Sequence, residues 1–298
     1  MNEERQSYAH RVKPGGRIHL KRYDAAATGE LTKDEGGELL RKLDHELAEL
    51  QDLLYAAGQQ SLLLILQGLD TSGKDGTIKR VLKEVNPAGC HIVSFKVPTT
   101  DELAHDFLWR IHAGVPARGQ LGVFNRSHYE DVLVTRVHNL VPEQIWRAHY
   151  AQINDFERLL TGTGTIVLKC YLHISKGEQE ERLIAREQDV TKAWKLSAGD
   201  WIERRSWEAY TAAYEDALSE CSTKDAPWHI IPADKKWFRN LAVAQLLVEA
   251  LRPYKAGWLA HLDAIGQREL VAVRAARGAA PEAADTAEAA DATAPGDQ

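Results

Sequence analysis

Lys74 closes the stretch QGLDTSGK (67–74), which follows directly on the apolar run LLLIL (62–66) and precedes DGTIKR (75–80). A buried strand, a glycine-rich turn and a helix start, in that order, make a cradle for a polyanion. Gly68 and Gly73 permit the tight turn that aims backbone N–H groups inward, and Gly76 is grouped with them. Lys74 supplies a positive point charge, and the helix beginning near Asp75 adds the positive end of its dipole. Asp75 stands where nucleotide-hydrolysing loops of this kind carry the Ser or Thr that helps hold magnesium. A carboxylate there is tolerated if magnesium or nearby cations offset it, or if it points away from the ligand as a helix N-terminal carboxylate. The metal ligand must then come from elsewhere, and Asp70 inside the loop is the nearest candidate, although Asp is also a common turn residue. A switch GTPase is disfavoured, because no N-K-x-D segment follows.

A second group of candidates lies in VPARGQLGVFNRSHYEDV (115–132). Arg126 sits at the carboxyl end of a predicted strand, where a guanidinium can take phosphate oxygens two at a time. Asp131 falls in the first turn of the next predicted helix and suits a magnesium contact. Glu130 has a structural alternative, since Ser127 and Glu130 have capping-box spacing. Arg118, between Pro116 and Gly119, is expected to face the same crevice. Further on, residues 178–205 are rich in cations: Arg182 and Arg186 lie one helical turn apart, and Lys192 and Lys195 follow. Either this is a solvated helix whose interleaved glutamates pair with its cations, or it is a mobile basic lid. His105 and His112 are read as core or surface histidines, and the three scattered cysteines as inert thiols.

GLDTSGKDGTIKRVLKEVNPAG, SFKVPTTDELAHDFLWRIH, VPARGQLGVFNRSHYEDVLVTRV and TKAWKLSAGDW, in that order, resemble the polyphosphate kinase 2 family. HRVKPGGRIHLKRYD (10–24) fits it too, and the resemblance spans about residues 10–255. It implies a P-loop kinase fold of the thymidylate-kinase type with a helical lid. It also implies Mg2+-dependent transfer of a terminal phosphoryl group from inorganic polyphosphate to a nucleotide, with Mn2+ as an alternative ion. The HYED segment resembles the class that accepts both AMP and ADP, yielding ADP and ATP, and GMP or GDP are further candidate acceptors. Carried over by position, Gly68, Gly73 and Lys74 bind phosphate, and Asp70 and Asp131 organise the metal. Arg118 and Arg126 grip phosphates, Arg182, Arg186, Lys192 and Lys195 belong to the lid, and Glu130 becomes a candidate for acceptor selection. Asp75 is then a family habit. Two other readings fit the same loop: an ATP-dependent nucleoside monophosphate kinase, and a non-catalytic module that senses polyphosphate or nucleotide.

These residues need elements to position them. Strand-like runs at 61–67, 91–97, 121–127, 165–174 and 228–233 alternate with helical stretches at 76–85, 100–112, 128–138, 142–161, 178–188, 199–221 and 236–252. The alternation predicts an α/β fold: a parallel sheet covered by helices on both faces, with its ligand crevice at the carboxyl ends of the strands. Leu40, Leu43, Leu47, Leu50 and Leu54 stripe a predicted helix over 35–57 and pack either on the chain's own core or on a second copy, so a homo-oligomer is expected. Residues 1–37 read as an N-terminal arm, 38–278 as the phosphotransferase domain, and 279–298 as a disordered Ala/Asp/Glu/Pro tail.

The formal net charge is −6. Glu282, Asp285, Glu288, Asp291 and Asp297 account for most of it, so the rest of the chain is close to neutral. That argues against a nucleic-acid partner. No apolar stretch approaches the roughly 20 residues of a membrane span. The charged N-terminus and scattered cysteines lead to a cytoplasmic expectation.

Overall fold

The computed structural model describes residues 6–278, apart from the side chains of residues 192, 193 and 195. The expected tail, 279–298, lies outside the described residues. In chain order the elements are β1 (His10–Arg11), α1 (Lys33–Ala57), β2 (Ser61–Gln67), α2 (Lys74–Val81), β3 (Cys90–Ser94), α3 (Thr100–Leu103), α4 (Trp109–Ala113) and β4 (Leu121–Asn125). They continue with α5 (Glu130–Val137), α6 (Glu143–Gly162), β5 (Thr165–His173), α7 (Lys176–Glu187), α8 (Ala198–Glu203), α9 (Trp207–Glu220), β6 (Trp228–Pro232), α10 (Lys236–Leu251) and α11 (Lys255–Ala276).

The sheet runs β1-β6-β5-β2-β4-β3, parallel except for β1. β2 is apolar without alternation because both its faces are covered. Leu62, Leu64 and Leu66 enter one core, with Leu47, Leu50 and Leu54 of α1 and the apolar side of α10. Leu63 and Ile65 enter the other, with Phe124, Ile153, Phe156 and Trp228. Each face therefore buries its own side-chain set, and the phosphate loop emerges from the carboxyl end of the most enclosed strand.

α1 starts at a full capping box, in which Thr32 and Glu35 exchange side-chain and backbone hydrogen bonds, and stops at Gly58 in the left-handed conformation (φ 61°). Its leucine stripe packs on α10 and α11 of the same chain, which accounts for it without a second copy. Of the arm expected over 1–37, the described residues from 6 onward lie along the body, and 33–37 already belong to α1. β1 pairs antiparallel with the β6 edge, and Val12, Ile18 and Leu20 are buried. The helix expected over 100–112 is two short ones, α3 and α4, and that expected over 199–221 is interrupted between α8 and α9. α11 was not anticipated. Its turns beyond Trp258 bury no residue, so its apolar pattern carried no core face to read. No helix among the described residues is long and apolar enough to cross a membrane.

Candidate active site

A cavity of about 960 Å³ opens at the carboxyl ends of the strands, lined by Asp70, Lys74, Asp75, Asn125, Arg126 and, from later in the chain, Arg182, Arg186, Lys236 and Arg239. Its floor is the loop after β2. Gly68 has φ 154°, and a Cβ there would stand 2.8 Å from the Leu172 carbonyl oxygen. Gly73 has φ 103°, and its Cβ would stand 1.8 Å from Nη1 of Arg239. Neither position admits a side chain. Thr71 and Arg126 are non-glycine residues held in the left-handed region at φ 63° each, a conformation that costs about 1–3 kcal/mol apiece. Both sit on turns that line the cavity.

Lys74 is buried, and its Nζ donates to the carbonyl oxygens of Gly68 (2.7 Å) and Leu69 (3.4 Å). Burial lowers its pKa, and Arg126 lowers it further, against the opposing pull of Asp70, Glu130 and Asp75. The hydroxyls of Thr71, Ser72 and Thr77 around the loop are buried without a protein partner. Asp75 does not point away from the ligand space. It lines the cavity, where its Oδ1 accepts from Asn125 Nδ2 at 2.7 Å.

Arg126 bridges two carboxylates: Nη2 donates to Asp70 Oδ1 at 2.9 Å, and Nη1 approaches Glu130 Oε2 at 3.5 Å. Burial pulls its pKa down, but Glu130 and Asp70 outweigh that and raise it. The capping box expected between Ser127 and Glu130 does not form. α5 starts at Glu130, the Ser127 hydroxyl accepts from the Tyr129 N–H (3.2 Å) and from Gln67 Nε2 (3.1 Å), and the Glu130 carboxylate turns to Arg126. Successive helix positions are about 100° apart, so Asp131 cannot share that direction. Neither Glu130 nor Asp131 lines the cavity itself; Glu130 is joined to it through Arg126, whereas the electrostatic neighbours of Asp131 are Arg110 and Glu130, and burial pushes its carboxyl up to about 7. The structure thus brings Asp70, Lys74, Arg126 and Glu130 together and leaves Asp131 outside the group.

Two expected phosphate cations are placed differently. Arg118 is exposed in the loop before β4, where the Gly119 N–H donates to Gln60 O just ahead of β2. That is the amino-terminal edge of a parallel sheet, roughly 20 Å from the crevice at about 3.3 Å per strand residue. A residue preceding a strand cannot reach the edge that strand leads to. Arg182 lies beside the cavity, but all its donors are engaged. Nε donates to Glu178 Oε1 (2.8 Å), Nη1 to the carbonyls of Thr71 and Ser72, and Nη2 to those of Ala233 and Asp234. It staples the phosphate loop to the end of β6 and is not a free lid cation. Arg186 does line the cavity and pairs with Asp200 on α8 at 2.5 Å. Lys192 and Lys195 fall in a 3-10 turn at Val190–Lys195, and their side chains are outside the description.

Behind the Arg126 turn lies a buried polar group. Lys169 of β5 donates to Glu157 Oε2 (2.5 Å), to the Tyr129 hydroxyl (2.9 Å) and to the Cys221 carbonyl (2.6 Å). Glu157 also accepts from Tyr129 (2.8 Å) and lies 3.3 Å from His128 Nε2. Burial raises the Glu157 pKa, but Lys169 and His128 more than reverse this and lower it overall. The network fixes His128 and Tyr129, between Arg126 and Glu130, from inside the core. Asn125, Lys236 and Arg239 were also missed by sequence reasoning. The signals were a lysine interrupting the apolar run TIVLKCYLH, and the cation-rich DKKWFRN at a helix start where the dipole favours carboxylates.

The polyphosphate kinase 2 model matches residues 30–256, about three quarters of the chain. This chain belongs to the polyphosphate kinase 2 family. It is 51% identical over 247 residues to an AMP/ADP-polyphosphate phosphotransferase of Meiothermus ruber, covering 81% of this chain and 91% of the relative. It is 44% identical over 239 residues to an ADP-polyphosphate phosphotransferase of Rhodopseudomonas palustris, covering 76% and 83%. Among solved structures, polyphosphate kinase 2 from Arthrobacter aurescens TC1 superposes with a TM-score of 0.78 at 44% identity, over 83% of this chain and 92% of that one. The sheet and the helices on both its faces are those of a P-loop kinase of this family, as the resemblance implied.

Proposed function

We propose that this chain transfers the terminal phosphoryl group of inorganic polyphosphate to AMP and ADP, reversibly. The observation that carries this reading is the composition of the cavity wall. Lys74, Arg126, Arg186 and, from α10, both Lys236 and Arg239 line one cavity around the glycine-rich loop. A donor made only of phosphates offers nothing but charge and oxygen acceptors to grip, and this wall supplies their complement. The names of the Meiothermus and Rhodopseudomonas relatives support the same donor and acceptors.

Phosphoryl transfer through a loose transition state asks the protein to align donor and acceptor and to neutralise charge. The loop N–H groups and the start of α2 receive the donor phosphates, and Lys74 exchanges its loop carbonyls for phosphate oxygens. Arg126 occupies the space between the donor cradle and Glu130 of α5, on the side from which the acceptor enters. An acceptor phosphate is already ionised at neutral pH, so no strong general base is needed.

The residues fit magnesium in the manner of a phosphate-held ion. Among the described residues no three acidic, His or Cys side chains are arranged to hold a metal ion by themselves, and magnesium in phosphate sites takes only one or two carboxylates. Asp70 lines the cavity beside Lys74 with only Oδ1 engaged by Arg126, which makes it the candidate protein ligand. When bound, the ion would neutralise phosphate oxygens on both sides of the transfer. In this reading Glu130 selects the acceptor through Arg126, supported by their approach at 3.5 Å. The test is nucleotide formation from AMP, ADP, GMP and GDP with polyphosphate and Mg2+ against ATP as alternative donor. Turnover with ATP alone would reassign the chain to an ATP-dependent kinase.

A further inference from the structure

Arg239 is the fourth residue of α10 and is 3% exposed. Its hydrogen bonds are to neutral acceptors: Nη1 to Ser72 O (3.1 Å), and Nε and Nη2 to Asn240 Oδ1 (3.2 and 3.0 Å). A guanidinium has five N–H groups, so one on Nη1 and one on Nη2 have no protein acceptor. Among the described residues no carboxylate pairs with it. Its cationic neighbour is Arg182, and burial together with Arg182 lowers its pKa to about 10. A charge this deeply buried is otherwise found paired, because leaving water without a counterion is costly.

Its surroundings add to the imbalance. α10 has no acidic residue in its first turn and no side-chain cap; Lys235 is its N-cap and Lys236 its first residue. The positive end of the helix dipole is therefore reinforced by cations where carboxylates would be favoured. Asp234, just ahead, has its Oδ1 engaged by the Ser175 N–H. The carboxylates on the cavity wall are likewise turned to other groups: Asp70 to Arg126, Asp75 to Asn125 and Asp200 to Arg186. The missing counterion must enter from the cavity, which Arg239 lines together with Lys236.

We infer that Arg239, with Lys236 one helical turn before it, is a direct ligand of the donor phosphates, so that α10 closes the phosphate cradle opposite α2. The placement locates the contact at the loop itself, since Nη1 of Arg239 occupies the space a side chain at Gly73 would need and Nη2 lies 3.4 Å from a Cβ at Gly76. Arg239 therefore acts on the phosphates inside the loop, and tripolyphosphate should depend on it as much as longer chains do. The inference rests on the proposed donor.

The test is steady-state kinetics of the full chain and two variants, Arg239→Gln and Arg239→Lys, with AMP and either tripolyphosphate or long-chain polyphosphate. It is paired with calorimetric binding of tripolyphosphate without acceptor and with thermal melts. Removing one charge-assisted phosphate contact predicts a rise of about tenfold or more in donor KM and tripolyphosphate Kd for Arg239→Gln. KM for AMP should move less than about twofold. Arg239→Lys keeps the charge but loses the fork, and should fall between wild type and Arg239→Gln. Donor KM and Kd within about twofold of wild type in a folded variant would overturn the inference. If Arg239→Gln fails to fold, the Arg239→Lys result decides alone, and unchanged donor binding in it counts against the role. Wild type that binds tripolyphosphate through Arg239 without turnover would refute the proposed function and leave this contact standing.

Discussion

Arg182 separates two accounts of the basic segment after β5. As a mobile lid cation it should matter for charge, so Arg182→Lys should be nearly silent in stability and mild in kinetics. The structure predicts otherwise. Its side chain is 9% exposed and serves Glu178 and the carbonyls of Thr71, Ser72, Ala233 and Asp234. Lysine has three donors against arginine's five and cannot hold the planar fork, so at least two of these five part-buried acceptors lose Arg182, and among the described residues only the Ser72 carbonyl keeps another donor, Arg239. At about 1–3 kcal/mol for each fully buried unsatisfied group, and toward the lower end for part-buried ones, two such groups give an expected loss of about 2–4 kcal/mol. For a domain of this size that is a fall in Tm of about 5–15 °C. The check is chemical and thermal denaturation of Arg182→Lys, with and without tripolyphosphate. Activity per folded molecule should fall too, because the staple fixes Thr71 and Ser72 of the phosphate loop. A melting curve within about 2 °C of wild type would refute the staple and return Arg182 to the lid.

Four other outcomes are expected. Lys74→Ala should cut polyphosphate-dependent turnover by at least about a hundredfold, measured as ADP formed from AMP, because electrostatic stabilisation dominates phosphoryl transfer; near-wild-type activity would remove the loop from the mechanism. Glu130→Ala should impair AMP use more than ADP use in paired kcat/KM measurements, whereas equal losses would limit Glu130 to orienting Arg126. Lys169→Met should destabilise by about 3–5 kcal/mol by leaving the Glu157 carboxylate buried and unpaired, while Lys169→Met with Glu157→Leu should recover much of that loss in denaturant titrations. His229 is buried on β6, and burial lowers its pKa to about 4. Between about pH 6.5 and 4 the unfolded chain binds a proton that the native state refuses, so stability falls as pH drops through that window, by up to about 3 kcal/mol. His229→Gln should flatten this part of the stability–pH curve.

The sheet was legible because β2 carries an unbroken apolar run and the other predicted strands recur between helical periods; the strand cores matched to within a few residues. The helix breaks at 104–108 and 204–206 were not, because periodicity registers which face is buried and not a local turn within it. Lys74, Asp70 and Arg126 could be placed since each lies at the carboxyl end of a recognisable strand. Arg118 was misassigned although its loop visibly leads into the predicted strand at 121–127, because grouping it with the crevice overlooked that a strand's amino-terminal end lies at the opposite edge of a parallel sheet. The role of Arg182 was hidden for a related reason: its acceptors are backbone carbonyls of Thr71 and Ala233, which no side-chain pattern announces. Arg239 was missed because its partner in the fold is the loop formed by Ser72 and Gly73, far away in sequence.

The most direct measurement supplies purified protein with AMP, Mg2+ and polyphosphate as the sole phosphoryl donor and follows nucleotides by chromatography. The account predicts ADP followed by ATP, with matching loss of polyphosphate and no such product from Lys74→Ala. Polyphosphate left unconsumed with every nucleotide offered, by protein shown to be folded, would contradict it.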